Sequence, residues 1–571
     1  MSDPFNSIRS LVPKRSRRTL VDERCFDYDI GQAIPVEFRD MVPGDNFKIY
    51  FNVINRFKPL VSPTMGKLDF WVFYFFVPYR NLDSNFERGI TGGDDEDLDE
   101  EGNPISFDYT FPTLGSDFSS SDVQTVKKYS LLDYAGLPVG LKTDSAIAKL
   151  TTDYYVRAYH SIYNEWFRDE NLQRKRKLMV TKRDFDDSIA PSTDVDKEEY
   201  GIFNVAWKKD YFTSALLSQQ KGIAPSLPLS GQLPVWTSLA TFGSSKESSG
   251  GSINFVDSLQ YRNMATPSQS IGRFLTTFQT SNSDELNVLS PNSFARIATK
   301  DNVGNPIPED PKSSFFVRLQ DGTTFDVSEL RTVIQIQKIL ERANRTGSRY
   351  TEYLRSFFSV SPKDSRLQRP EFIGARKVPV VINEVLQTSE TTDTSAQGTQ
   401  AGHGISVASN YVGKYFAEEY GCLVGIAFCR PTPLYTQGIN RQWFKKSRYD
   451  FYLPQLCNLS EQGIYAGELY VDNTDADTGI WGFQGRWNEM RAGTSLACGA
   501  MRDTYAYWNF SRHFDKRPEL DSDFIECKPA ETKKIYAVQS EPGIICQFAT
   551  VLDAVRPITA YPEPGRMDHD M

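Results

Sequence analysis

The sequence predicts a mainly β protein, a β-sandwich of short strands whose loops are long enough to hold helices. Three observations predict it. Between Phe47 and Ile54, apolar and polar side chains alternate: Phe47, Ile49, Phe51 and Val53 fall on one face and Lys48, Tyr50, Asn52 and Ile54 on the other, the period of a half-buried strand. Short apolar runs are spread along the whole chain, at 68–77, 378–383 (VPVVIN), 422–431 (CLVGIAFCRP) and 544–552 (IICQFATVL). Finally, 37 Gly and 31 Pro supply turns, while a 13% aromatic content supplies bulk for a core.

Taken in chain order, residues 1–24 are polar, with Arg9, Lys14, Arg15, Arg17 and Arg18 against only Asp3 among the first 20, and read as an extended basic arm. The body begins near Cys25, and its first part runs to 239. Within it, 68–77 is apolar on both faces and reads as a strand covered on both sides. The run at 92–103 (GGDDEDLDEEGN) reads as a solvated acidic loop; at 94–101 it is the wrong shape for a calcium loop, because Glu100 stands where Gly is needed. From Asp153 to Gln173, Val156, Tyr159, Tyr163, Trp166 and Phe167 share one helix face, and the helix ends in the basic run Arg174, Lys175, Arg176, Lys177. Residues 240–325 turn to Ser, Gly, Thr, Asn and Pro and read as a long exposed insertion. A second helix follows, with Asp326 and Glu329 at its start, Val333, Ile336, Leu340 and Ala343 as its apolar stripe and Gly347 as its stop. Tyr350, Tyr353, Leu354 and Phe357 predict a further short helix, so that 326–571 holds helices, the remaining strands and a carboxyl-terminal extension, and the strand-like runs from Val378 onward predict a carboxyl-terminal half that is mainly β.

Composition excludes several function classes. Sixty-four Lys and Arg against 73 Asp and Glu give −9, so any nucleic-acid contact is local. The most apolar stretch falls far short of the ~20 residues a membrane helix needs, and the amino terminus lacks an apolar signal core. The seven Cys show no metal-ligand spacing with the four His and read as reduced and mostly buried. Gly413-Lys414 lacks the flanking residues of a phosphate loop, no nucleophile elbow occurs, and Gly402-His403-Gly404 reads as a flexible turn. No catalytic residue, metal ligand or cofactor is nominated.

Two basic clusters remain. Lys14, Arg15, Arg17 and Arg18 can follow a phosphate backbone, with Phe5, Phe26 and Tyr28 near enough in sequence to stack on unpaired bases; the alternative is a merely soluble tail. Arg174, Lys175, Arg176 and Lys177 read either as further phosphate contacts or as an ordinary helix carboxyl end, where cations complement the dipole.

Longer strings carry more. DMVPGDNF at 40–47, DFWVFYFFVPYR at 69–80, NEWFRDENLQ at 164–173, DYFTSALLSQQKG at 210–222, the stretch 340–372, YTQGINRQWFKKSRYDFYLPQLCNLSEQ at 435–462, WGFQGRWNEMR at 481–491 and PITAYPEPGRMDH at 557–569 resemble, in order, the major capsid proteins of the Microviridae, in particular the gokushovirus branch. The resemblance implies an eight-stranded antiparallel jelly roll with helix-containing loop insertions. It implies a structural subunit, not an enzyme, which self-assembles into a T=1 icosahedral shell around circular single-stranded DNA. It places 240–325 at a surface protrusion on the three-fold axes, where it can touch a host receptor. It also implies a small basic DNA-binding virion protein and a minor or pilot capsid protein as partners, and assembly in the bacterial cytoplasm without membrane insertion. The arm PKRSRR and the acidic run depart from that pattern.

A closed shell needs several complementary patches on each subunit. Tyr449, Phe451, Tyr452, Phe483 and Trp487 are aromatic anchors of the kind interfaces favour, or else core residues. Two competing readings are a receptor- or glycan-binding β-sandwich spike and a glycoside hydrolase; no carboxylate pair is singled out for the latter.

Overall fold

The computed structural model describes residues 14–91, 110–114, 125–143, 145–176, 201–225, 327–386 and 400–561, with four two-residue strands between 226 and 326. The chain divides into two units. The larger, Met1–Ala224 with Ile336–Met571, holds the sandwich. The smaller, Pro225–Gln335, holds two short antiparallel ladders, Val235–Trp236 with Phe316–Val317 and Ile253–Asn254 with Gln279–Thr280. The rest of the 240–325 insertion, the acidic run and Asp326 lie outside the described residues.

The sandwich is built from β1 (Ser16–Tyr28), β2 (Ile34–Met41), β3 (Asn46–Phe57), β4 (Leu68–Pro78), β5 (Glu371–Pro379), β6 (Val381–Leu386), β7 (Gln400–Phe416), β8 (Gly421–Pro431) and β9 (Ile544–Arg556). One sheet has five strands in the order β1-β9-β3-β7-β6, the other four in the order β2-β8-β4-β5. All these pairings are antiparallel. Successive strands cross between the sheets, β1 to β2 to β3 to β4 and β7 to β8 to β9, which is the winding of a double-sheet jelly roll. The count differs from eight because β6 adds a ladder beside β7.

Strand β3 follows its alternation: Phe47, Ile49, Phe51 and Val53 are buried against Phe70, Val72, Tyr74 and Phe548 in the core between the sheets. Strand β4 is covered on both sides as its sequence predicts. Phe70, Val72, Tyr74 and Phe76 face that core, while Phe75 and Val77 enter a second core on the far face of the four-stranded sheet. The cover there is α1 (Tyr154–Ile162), which buries Val156, Tyr159 and Ile162. The Tyr159 hydroxyl donates to the Ala33 carbonyl at 2.6 Å and accepts from the Phe203 N–H at 3.3 Å, tying helix, sheet and the 201–207 segment together.

Four expectations are corrected. Residues 16–24 are not an arm but the first part of β1, paired along their whole length with β9. Their partner lies more than 500 residues away, so no local window of sequence shows the pairing. The predicted helix does not reach Gln173: it passes into one wide turn at Tyr163–Phe167 and stops where Arg168 turns extended, leaving 174–176 in irregular chain beyond it. Gly402, His403 and Gly404 form no turn. They lie within β7, His403 opposite Asn383, and the glycines answer close approach instead: a Cβ at Gly402 would stand 2.4 Å from the Ser62 carbonyl oxygen, and one at Gly404 2.7 Å from the Phe57 ring. Lastly, the β8–β9 connection, 432–543, is mainly short helical turns with small ladders such as Gln462–Tyr465 with Ile480–Gln484, organised around a third core of Tyr211, Phe212, Tyr435, Ile464, Leu469 and Phe524.

The two later helices match their predicted positions, α2 at Val327–Thr346 and α3 at Tyr350–Phe358, with Gly347 between them at φ +93°. The α2 stripe is half-buried at Val333, Leu340 and Ala343 and exposed at Ile336. Buried Cys are Cys422, Cys429, Cys527 and Cys546; Cys25 and Cys498 are exposed. Burial pushes the Cys429 thiol up to about 12. No helix among the described residues is long and apolar enough to cross a membrane.

Candidate functional site

The structure scatters the described members of the two basic clusters. Lys14 is exposed. The Arg15 guanidinium lies beside the β2–β3 turn at Gly44. Arg17 grips Asp553 of β9 through two hydrogen bonds of 2.7 Å, and this pair holds the Asp553 carboxyl below the usual carboxylate range. Arg18 donates to the Ala560 carbonyl. Arg17 and Arg18 close the sheet edge onto β9 and the carboxyl-terminal segment.

Arg174 and Lys175 are exposed, whereas Arg176 is structural. Its guanidinium lies over Tyr163 at 5.1 Å and over Phe203 at 5.9 Å and donates to the Gly201 carbonyl at 3.0 Å. Lys177 lies outside the described residues.

The aromatic anchors separate into surface and core. Tyr449, Phe451 and Tyr452 are exposed, and their neighbour Trp443 is 76% exposed. Phe483 is half-buried, its backbone bridged to Leu216 by two 2.8 Å hydrogen bonds, and Trp487 is buried. Tyr452 and Trp487 still meet edge to face with centroids 5.7 Å apart, so a surface ring is braced by a core ring. The loop holding this patch is locally specified. The Asp450 carboxylate accepts from the Lys446 N–H at 2.9 Å and the Ser447 N–H at 2.5 Å, and these backbone donors keep its carboxyl below the usual range. Lys445 lies 5.2 Å over the Phe451 ring and Arg448 4.7 Å over that of Tyr449. The result is a standing array of rings and cations that the described residues leave exposed.

Sequence reasoning misses a second uncovered surface, the outer face of the five-stranded sheet. Lys48, Tyr50 and Arg56 of β3 share it with Val407, Tyr411 and Lys414 of β7. Tyr50 and Tyr411 face each other in register with ring centroids 5.1 Å apart, and Lys48 stands directly opposite Lys414. The alternation of β3 already puts Lys48 and Tyr50 on one face; what it cannot show is that β7 brings a matching pair. Among the described residues no three or more His, Cys, Asp or Glu converge as a metal site.

Comparison with known proteins agrees along nearly the whole length. The family model described as capsid protein (F protein) matches residues 8–566. The capsid protein VP1 of Chlamydia phage 1 is 30% identical, over 99% of this chain and 98% of that protein. That of Bdellovibrio phage phiMH2K is 29% identical over 98% and 97%, and that of Spiroplasma virus 4 is 28% identical over 94% and 93%. A jelly-roll-wound sandwich with long, aromatic-bearing insertions, matched end to end by these relatives, belongs to the phage capsid protein (F protein) family.

Proposed function

We propose that this chain is the major capsid protein of a small icosahedral phage, resident in the virion, where copies of it close into a T=1 shell around circular single-stranded DNA. Its further partners are the small basic DNA-binding virion protein, the minor or pilot capsid protein and, through 240–325, a host-surface receptor. Its role is structural, not enzymatic.

The observation that carries this reading is the uncovered aromatic segment of the β8–β9 insertion. Trp443, Tyr449 and Phe451 are 76%, 51% and 55% exposed on a loop whose own hydrogen bonds hold it in place. Rings kept exposed on an ordered loop are the anchors a neighbouring subunit buries, and each subunit of a closed shell is held by several neighbours at once, so modest contacts multiply.

Electron microscopy of the purified, expressed protein and of particles from an infected culture tests it. Closed icosahedral particles dominated by this chain are expected. Replacing Trp443 and Phe451 by Ser is expected to leave folded, unassembled subunits. A monomer or small ring from the parent, absent from virions, overturns the reading.

A further inference from the structure

We infer that the uncovered face of the five-stranded sheet is a binding surface for single-stranded DNA, on which Tyr50 and Tyr411 stack bases while Lys48, Lys414 and Arg56 hold phosphates. The inference rests on the capsid reading for its biological setting and gives that reading a site.

Three features point to a polyanion carrying unpaired bases. The first is a broken local rule. Lys48 and Lys414 are directly opposite on neighbouring strands, an arrangement that repels and destabilises a sheet. The carboxylate in register with Lys48 on its other side is Asp553, and that group is already gripped by both arms of Arg17. Among the described residues neither lysine, nor Arg56, has an ion-pair partner. Local rules are broken where a function requires it, and two facing amines whose nearby carboxylate, Asp553, is shared with Arg17 are a place for a phosphate.

The second is charge contrast. In a molecule of net charge −9, this face gathers Arg17, Lys48, Arg56 and Lys414 against Asp553, Glu23 and Asp27, so its balance is positive. The third is the ring pair. Tyr50 and Tyr411 are 37% and 42% exposed in the middle of the face, flanked by the lysines on one side and by Val407 on the other. Aromatic rings framed by cations are the stacking platform of sequence-tolerant single-strand binding. A second copy of the chain is a poorer occupant, because it would have to bury the paired amines, and charged groups are depleted at interface centres.

The test uses the full-length, unassembled protein and a fluorescently labelled oligo-dT, with binding read by anisotropy across a salt series. The parent is expected to bind with strong salt dependence. In the variant carrying Lys48→Ser, Arg56→Ser and Lys414→Ser, the slope of log K against log salt should fall by about 2, since each single-strand phosphate contact contributes ~0.7. Lys414→Ser alone should lower it by ~0.7 and serves if the triple variant does not fold. Tyr50→Ala with Tyr411→Ala should weaken binding about 30-fold or more with the slope unchanged. Lys149→Ser with Lys516→Ser, exposed cations elsewhere, should change neither. Particle formation is scored separately by microscopy. Variants that bind DNA like the parent, or a parent that binds none, overturn the inference, and variants that keep binding but fail to assemble assign the face to contacts between copies. If the parent forms no shells yet the triple variant loses the slope, the capsid reading fails and the DNA surface stands.

Discussion

The two sheets share one core and differ in what lies on their other faces. Outside the four-stranded sheet, Phe73 and Phe75 of β4 and Phe428 of β8 pack with Trp166, Phe167 and Phe372. Outside the five-stranded sheet, Tyr50, Val407 and Tyr411 face away from the protein. The difference is written into strand composition. A strand with a layer on each side has to be apolar on both faces, as β4 is from Phe70 to Pro78 and β8 from Cys422 to Cys429, whereas a strand with one layer alternates, as β3 does. What a strand covers can thus be read from its period before its neighbours are known.

The largest effect that can break this comparison is expected on the covered face. Phe75 is fully buried and touches Trp166, Phe167 and Phe372 through ring contacts of 5.5 to 6.1 Å. Phe75→Ala should destabilise the fold by about 3–5 kcal/mol, read as a fall in the urea midpoint at unchanged slope. A loss under ~1 kcal/mol would mean that the α1 layer is not bound to the sheet as tightly as its burial implies.

A smaller effect belongs to the shared core. Glu37 of β2 is fully buried, with Arg39 Nε 3.4 Å from its carboxylate. Burial pushes its carboxyl from 4.5 up to about 7, with the charge of Arg24 pulling the other way. The folded chain therefore holds a proton that the unfolded chain has released. Stability from this group is full below pH 4.5 and is lost as pH rises through about 7, a difference of about 3 kcal/mol. Glu37→Gln should flatten that part of the pH dependence of the urea midpoint and raise the midpoint at pH 8; an unchanged pH profile would place the titration elsewhere.

Legibility in the sequence followed the range of the responsible contact. Strands β3, β4, β8 and β9 and helices α2 and α3 were visible because period and length suffice to define them. Strand β1 was not, because Arg17 and Arg18 read as a solvated arm until Asp553 and Ala560 are brought to them from the other end of the chain. Strand β7 hid behind its glycines, which are turn formers in a window of sequence and spacers in the fold. That difference is testable: Gly402→Ala should destabilise by about 1–3 kcal/mol, since the new methyl meets the Ser62 carbonyl, whereas in a flexible turn it would be harmless. For the candidate surfaces, the ring and cation content of 443–452 was legible and its exposure was not, and the basic clusters were legible while their internal partners were not.

The smallest effect sharpens the comparison most. Tyr50 and Tyr411 are as large as Phe75 and also make a ring contact, at 5.1 Å, but across strands on a face where both stay exposed. Removing them sacrifices one cross-strand pair and no core, so Tyr50→Ala with Tyr411→Ala should lower stability by only about 0.2–1 kcal/mol in the same urea measurement. A loss of several kcal/mol would mean that the rings hold the sheet together, and their exposure would then be no sign of a ligand. A small loss separates the two faces by function: rings on the covered face sustain the fold, and rings on the open face are free to meet something else.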